Sequence, residues 1–156
     1  MKNVLVFVLP GGERYAIELR WVREVFTLGP MTPVPRAPAV VAGVTAVHGQ
    51  VVPVLALGPC LLAAELSAPA TTHPPREGES AVLIEVEGTQ AALPVDRIDA
   101  VTTLEESGER TDHVVDEQRR PVPLLDTPSL VAAARRLVGE AERAATLPQG
   151  RPGAGT

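Results

Sequence analysis

The sequence predicts a mainly β fold: two similar small β-units packed together, followed by one C-terminal α-helix. Three observations predict it. Apolar residues make up 45% of the chain and aromatic residues only 3%, so the core must be built from Val, Leu, Ile and Ala. The apolar runs are short, rich in β-branched residues and punctuated by Gly and Pro, which is strand patterning. The chain also repeats itself. Tyr15–Leu28 aligns without a gap on Ala91–Leu104, matching Ile17 with Leu93, Leu19 with Val95, Val22 with Ile98, Val25 with Val101 and Leu28 with Leu104. Val52-Pro53-Val54-Leu55 then aligns, in the same order, on Val122-Pro123-Leu124-Leu125. Each unit alone is too small for a good core, so the interface between them should be apolar.

Val4–Leu9 is apolar throughout and stops at Pro10-Gly11-Gly12; with Tyr15–Leu19 it predicts a hairpin turned by the glycines. Trp21–Leu28 alternates as a strand with one buried face, because a helix here would have to cross β-branched residues and stop at Gly29-Pro30. Four prolines in residues 29–38 make a stiff, extended connector, and Ala39–Ala42 is expected to form one helical turn. The stretch Gly43–Leu57 organises the chain. Val44–Val47 is a strand, Gly49-Gln50 a tight turn, and Val51–Leu57 a second strand, apolar on both faces like the wall of a small barrel. Pro53 inside it implies an edge position or a bulge.

Cys60–Leu66 is expected to be a short helix and residues 67–80 a mobile loop. Ala81–Val86 and Gln90–Val95 form a hairpin turned by Glu87-Gly88, and Arg97–Leu104 is a further strand. Residues 105–119 are charged and loop-like, and Val122–Leu125 is a short strand. Asp126 or Thr127 then caps a helix that has Pro128 at its first position. Leu130, Val131, Ala134, Leu137, Val138 and Ala141 make its apolar face. Residues 147–156 should be a disordered tail. Residues 1–146 thus form one domain of two β-subdomains, expected to divide near residues 67–80.

A net charge of −5 and a pI near 5.2 argue against nucleic acid as a partner. The N-terminal apolar run is too short for a signal peptide or a membrane span, and the single cysteine, Cys60, fits a reducing compartment, so a soluble, cytoplasmic protein is expected. His48, His73 and His113 lie far apart without metal-ligand spacing, and Cys60 sits among leucines. Asp96, Asp99, Glu105 and Glu106 fall at strand ends and in loops rather than as an acid–base pair, and no nucleophile elbow or phosphate loop is present. These observations predict neither an enzyme nor a metal or cofactor site, but a binding module. His48 is read as a turn residue supporting Glu24 or a backbone carbonyl, or else as part of a contact surface.

Four features resemble the CheW-like domains of bacterial chemosensory systems, over about Val4 to Val138. The run Leu5 to Ile17 is similar to the family's opening hairpin, and Val22-Arg23-Glu24-Val25 to its Val-x-Glu-Val/Ile strand. Pro33-Val34-Pro35 and Pro38, ahead of Gly43, are similar to its proline connector. Gly43-Val44, then Gly49-x-Val51-Val52-Pro53-Val54, resembles its signature Gly-Val-x-Asn-Leu-Arg-Gly-x-Val-Val-Pro-Val-x-Asp-Leu. The resemblance implies two SH3-like five-stranded β-barrels. It implies an adaptor coupling the cytoplasmic tip of chemoreceptors, bound near the groove between barrels, to the regulatory domain of a CheA-type histidine kinase. Candidate partner-binding residues are Glu24, Gly43, Val44, Val47, His48 and Gly49. Val44 and Val47 would line a groove with Glu24 and His48 on its rim, the competing reading being that both valines fill the core. The signature's Asn, Arg and Asp are here Ala46, His48 and Ala56. In the family that Arg pairs with the Glu of the Val-x-Glu-Val strand, here Glu24. These departures point to an accessory copy with weakened kinase binding. The alternative is a small β-barrel ligand-binding or regulatory domain outside chemosensing.

Overall fold

The computed structural model describes residues 1–38, 40–56, 74–106 and 113–146. The expected helix at Cys60–Leu66, the tail 147–156 and residues 67–73 of the expected loop lie outside the described residues. Ten strands form two five-stranded sheets. The first sheet is ordered β10-β9-β8-β1-β2, from Pro121–Pro123, His113–Val115, Arg97–Glu106, Lys2–Val8 and Arg14–Glu18. The second is ordered β3-β6-β7-β5-β4, from Val22–Thr27, Ser80–Val86, Thr89–Pro94, Gln50–Leu55 and Val41–Val47. Among the described residues there is one α-helix, α1, from Thr127 to Thr146.

The subdomains do not divide at residues 67–80. Strands on both sides of that stretch, β3 to β5 and β6 to β7, belong to the same sheet. The chain changes sheet at the single 3-10 turn Leu19–Trp21 and again at Val95–Asp96. These are equivalent points of the repeat, so each half of the sequence begins in one sheet and ends in the other. The equivalence extends to fine detail. β1 pairs with β8 around a bulge at Asp99, and β6 pairs with β3 around a bulge at Arg23, the matching repeat position. Parallel pairs Val54–Ala92 and Leu124–Ala16, again matching positions, join the second hairpin of each half to the first hairpin of the other.

Three apolar clusters follow from this exchange. Val4 and Val6 of β1 point with Ala16, Leu104, Val114, Val122 and Leu124 into the first barrel. Ala81 and Leu83 of β6 point with Leu28, Val47, Val52, Val54 and Ala92 into the second. The alternate residues Leu5 and Phe7, and Val82 and Ile84, meet in a shared core between the sheets. β1 and β6 are therefore buried on both faces, which is why Val4–Val8 and Ala81–Ile84 are continuous apolar runs. Leu130, Val131 and Ala134 of α1 join the same shared core, while Leu137 and Val138 are half-buried against it. Asp126 caps the helix: its carboxylate accepts from the Ser129 backbone N–H at 3.2 Å and from the Ser129 hydroxyl at 2.7 Å.

Several expectations change. The β4–β5 turn is His48-Gly49, because Val47 pairs with Gln50. β5 is not buried on both faces, since Val51 is 72% exposed. The bulge lies in β4 at Ala42 rather than at Pro53, and β5 is an interior strand of its sheet. Within the expected helical turn at Ala39–Ala42, Ala39 lies outside the described residues; the Val41 N–H donates to the Pro38 carbonyl at 2.9 Å, and β4 starts at Val41. Within 105–119, His113–Val115 is a strand pairing with β8 and β10. Residues 78–80 extend the β3–β6 ladder, Leu28 exchanging backbone bonds of 2.8 and 2.9 Å with Glu79 and Gly78.

The proline connector crosses β4 closely. Thr32 and Val44 exchange two 2.8 Å backbone hydrogen bonds, closing the second barrel. A Cβ on Gly43 would lie 2.7 Å from the Thr32 carbonyl oxygen. Gly43→Ala is therefore expected to cost about 1–3 kcal/mol of stability through forced displacement of the connector. Leu130→Ala, which empties a buried site in the shared core, is expected to cost about 2–5 kcal/mol. Urea denaturation midpoints check both.

Candidate functional site

The β4–β5 hairpin ends in a two-residue loop with φ of 49° at His48 and 80° at Gly49. Two consecutive positive φ values define the turn whose twist matches that of the flanking strands. Gly takes this conformation freely, and His is among the side chains enriched there. The turn carries the His48 side chain outward, 76% exposed, and its Nε2 donates to Oε1 of Glu24 at 2.5 Å. Glu24 is 35% exposed and comes from β3, at the opposite edge of the same sheet. The pair thus spans the two edges of the second barrel, near the join already made by Thr32 and Val44. An exposed pair of this kind contributes at most about 1 kcal/mol. Its effect lies in fixing two polar side chains on one rim.

Three of the six candidate residues, Glu24, His48 and Gly49, are brought together in this way. Gly43 and Val44 lie further along β4, where Gly43 accommodates the connector and Val44, half-buried, is held by its backbone. Val47 packs in the core of the second barrel with Leu28, Val52 and Val54. Of the three substituted signature positions, Ala46 and His48 are exposed. Ala56 is buried, its N–H donating to the Val40 carbonyl at 2.7 Å.

Apolar surface appears instead at Val25 and Val101, 46% and 61% exposed. Val25 pairs with Val82, and Val101 with Leu5, so both lie on the sheet faces that form the shared core. They continue that core outward along the seam between the barrels. The repeat already matched these two positions with each other, but matching apolar residues gave no sign that they would be left uncovered.

A charged cluster occupies the first barrel. Asp116, in the β9–β10 turn, accepts backbone N–H bonds from Gln118 and Arg120 and ion pairs with Arg14 at 3.0 Å and Arg120 at 3.1 Å. Arg14 also reaches Asp99 at 3.2 Å. The Arg120 backbone bond, aided by the Arg14 and Arg120 guanidiniums, holds the Asp116 carboxyl below its ordinary value. Among the described residues no group of His, Cys, Asp or Glu is arranged to hold a metal ion, and no helix is long and apolar enough to cross a membrane.

The CheW-like domain family model matches residues 3–135. The chain belongs to the CheW-like domain family. No curated protein sequence matches it. Among solved structures, it is similar to the crystal structure of the scaffolding protein TtCheW from Thermoanaerobacter tengcongensis. The two share 19% identity with a TM-score of 0.58, covering 80% of this chain and 88% of that one. At that identity the likeness concerns the CheW-like fold, two SH3-like barrels with a C-terminal helix. CheW-like proteins are non-enzymatic scaffolds of chemotaxis, and family membership supports a scaffold or adaptor role of that class.

Two outcomes follow. His48→Ala and Glu24→Ala should each shift stability by less than about 1 kcal/mol, measured by thermal unfolding, because the pair is open to solvent. Asp116→Asn should be less stable than the parent at neutral pH. A carboxyl held below its ordinary value stabilises the fold above the ordinary carboxylate range and loses that contribution as pH falls. The gap between the two proteins should therefore narrow in melts taken progressively below about pH 4.

Proposed function

We propose that this protein is a cytoplasmic adaptor of receptor arrays that couples the cytoplasmic tip of a methyl-accepting chemoreceptor to a CheA-type histidine kinase. We further propose that it is an accessory copy whose kinase binding is weakened, so that it limits array growth and thereby chemotactic or motile signalling. Family membership supports the adaptor role. The observation carrying the finer reading is the exposed rim around the His48-Gly49 turn. Ala46 carries no polar group there, and His48 replaces a planar, permanently charged guanidinium with a smaller ring. Both positions face solvent, so the missing groups are ones a partner would meet. Ala56 is buried, so its substitution bears on the barrel rather than on a partner. The receptor tip, a helical hairpin, takes the apolar seam between the barrels at Val25 and Val101, with Glu24, His48 and Gly49 as a nearby polar rim, Val44 and Gly43 acting through the shape of β4.

Separate titrations against a receptor cytoplasmic fragment and a kinase regulatory domain test this. Receptor binding should persist in the parent and fall in Val25→Asp. Kinase binding should be weaker than that of a regular adaptor from the same cell by roughly 10- to 150-fold, the equivalent of one lost charge-assisted bond. His48→Arg combined with Ala46→Asn should recover part of it. Kinase binding as tight as a regular adaptor's would overturn the accessory role; absence of both interactions would overturn the adaptor role.

A further inference from the structure

A groove of about 900 Å³ runs between the outer side of α1, the outward residues of β5 and the β6–β7 turn, reaching Gln50 beside the His48-Gly49 turn. Its apolar surface comes from Val51, Pro53, Val86, Val131 and Val138. Val51 is the most exposed of these, at 72%. The lining residues of α1 extend from Pro128 to Arg143. At 1.5 Å per residue that is about 22 Å, or four helical turns. The groove is therefore long and open, with the dimensions of a helix rather than of a small molecule.

The α1 wall is net basic, with Arg135, Arg136 and Arg143 against Glu142, and the facing wall carries the acidic Glu87. On the α1 side stand Arg135 and Arg136, both exposed and making no ion pair or hydrogen bond among the described residues. The protein has 19 acidic and 14 basic residues, and Arg14, Arg20, Arg23, Arg97 and Arg120 are all paired with carboxylates. Arg36, Arg76 and Arg119 likewise carry no ion pair among the described residues; what distinguishes Arg135 and Arg136 is that they line the groove side by side. The opposite wall carries Glu87, exposed on the β6–β7 turn and likewise unpaired. We infer that the groove docks an amphipathic helix of a partner protein, about four turns long, with its apolar ridge on Val51 and Val138, acidic side chains towards Arg135 and Arg136, and a basic side chain towards Glu87. A helix laid into an apolar groove is a recurrent mode of recognition, and opposed wall charges fix its direction and choice of partner. This inference does not rest on the receptor and kinase assignment, because the groove is lined by none of Glu24, Gly43, Val44, Val47, His48 and Gly49, although Gln50 adjoins their turn.

The probe is a synthetic amphipathic helix of four turns with a leucine ridge, a glutamate flank and a lysine flank, together with its counterpart in which the flanks are exchanged. Fluorescence anisotropy with the full chain should show preference for the flank order that matches the walls. Arg135→Glu with Arg136→Glu should weaken that peptide roughly tenfold, and adding Glu87→Lys should turn the preference towards the exchanged peptide. Val51→Asp, at an exposed site, should abolish binding of both, with the thermal midpoint unchanged to show that the fold is intact. Equal binding of the two peptides, or no effect of the charge reversals, would overturn the inference. So would concentration-dependent self-association abolished by Val51→Asp, which would make a second copy the occupant.

Discussion

Everything in this fold depends on two strands that bury both faces. β1 and β6 each send alternate side chains into their own barrel and into the core shared with the other. Without that shared core, each barrel would be a five-stranded unit with a handful of interior aliphatic residues, too few to hold it closed. With it, Leu5, Phe7, Val82 and Ile84 lock the barrels face to face, and α1 finds an apolar surface on which to lie. The rim and the seam are positioned by the same packing. β3 and β8 carry Val25 and Val101 onto the shared-core side because they pair with β6 and β1.

Much of this was legible in the sequence. The apolar runs at Val4–Leu9 and Ala81–Ile84 marked strands, and the repeat marked two like units, but two-sided burial was read at Val51–Leu57 instead. The repeat did not say which strands pair. Sequential halves look like sequential barrels, yet the crossing points at Leu19–Trp21 and Val95–Asp96 send each half into both sheets. Such crossing is a matter of long-range pairing, to which local patterning is blind. The same blindness explains Val51: an apolar residue in an apolar run looked buried, and only the absence of a covering element leaves it outside.

His48 was read as supporting Glu24 or a backbone carbonyl, or else as part of a contact surface; its ring meets Glu24, since the turn residue at φ 49° aims it at β3. For Val47 the sequence left groove lining and core filling open, because alternation alone does not say which face of β4 is the inside; the register with Val52 and Val54 across the barrel puts it in the core. The charged cluster at Asp116 had no sequence signature, because Arg14 and Arg120 lie far apart in the chain and meet only when β2 and the β9–β10 turn come together.

The interleaving of the halves has a consequence for how the protein is made. During synthesis β1 emerges first, but its neighbour β8 begins only at Arg97, and the bond between Ala16 and Leu125 that ties β2 to the last strand waits longer still. The first barrel cannot close until synthesis has passed Leu125. β3 waits likewise for β6, so the leading half spends its early life with unpaired strand edges and two-sided apolar strands in water. Nascent chains of this kind are exposed to mispairing and to capture by chaperones, and domains dominated by distant pairings fold slowly. A polypeptide broken between β5 and β6 should for the same reason yield two fragments that are each unstructured alone, yet hold every surface needed to recognise one another.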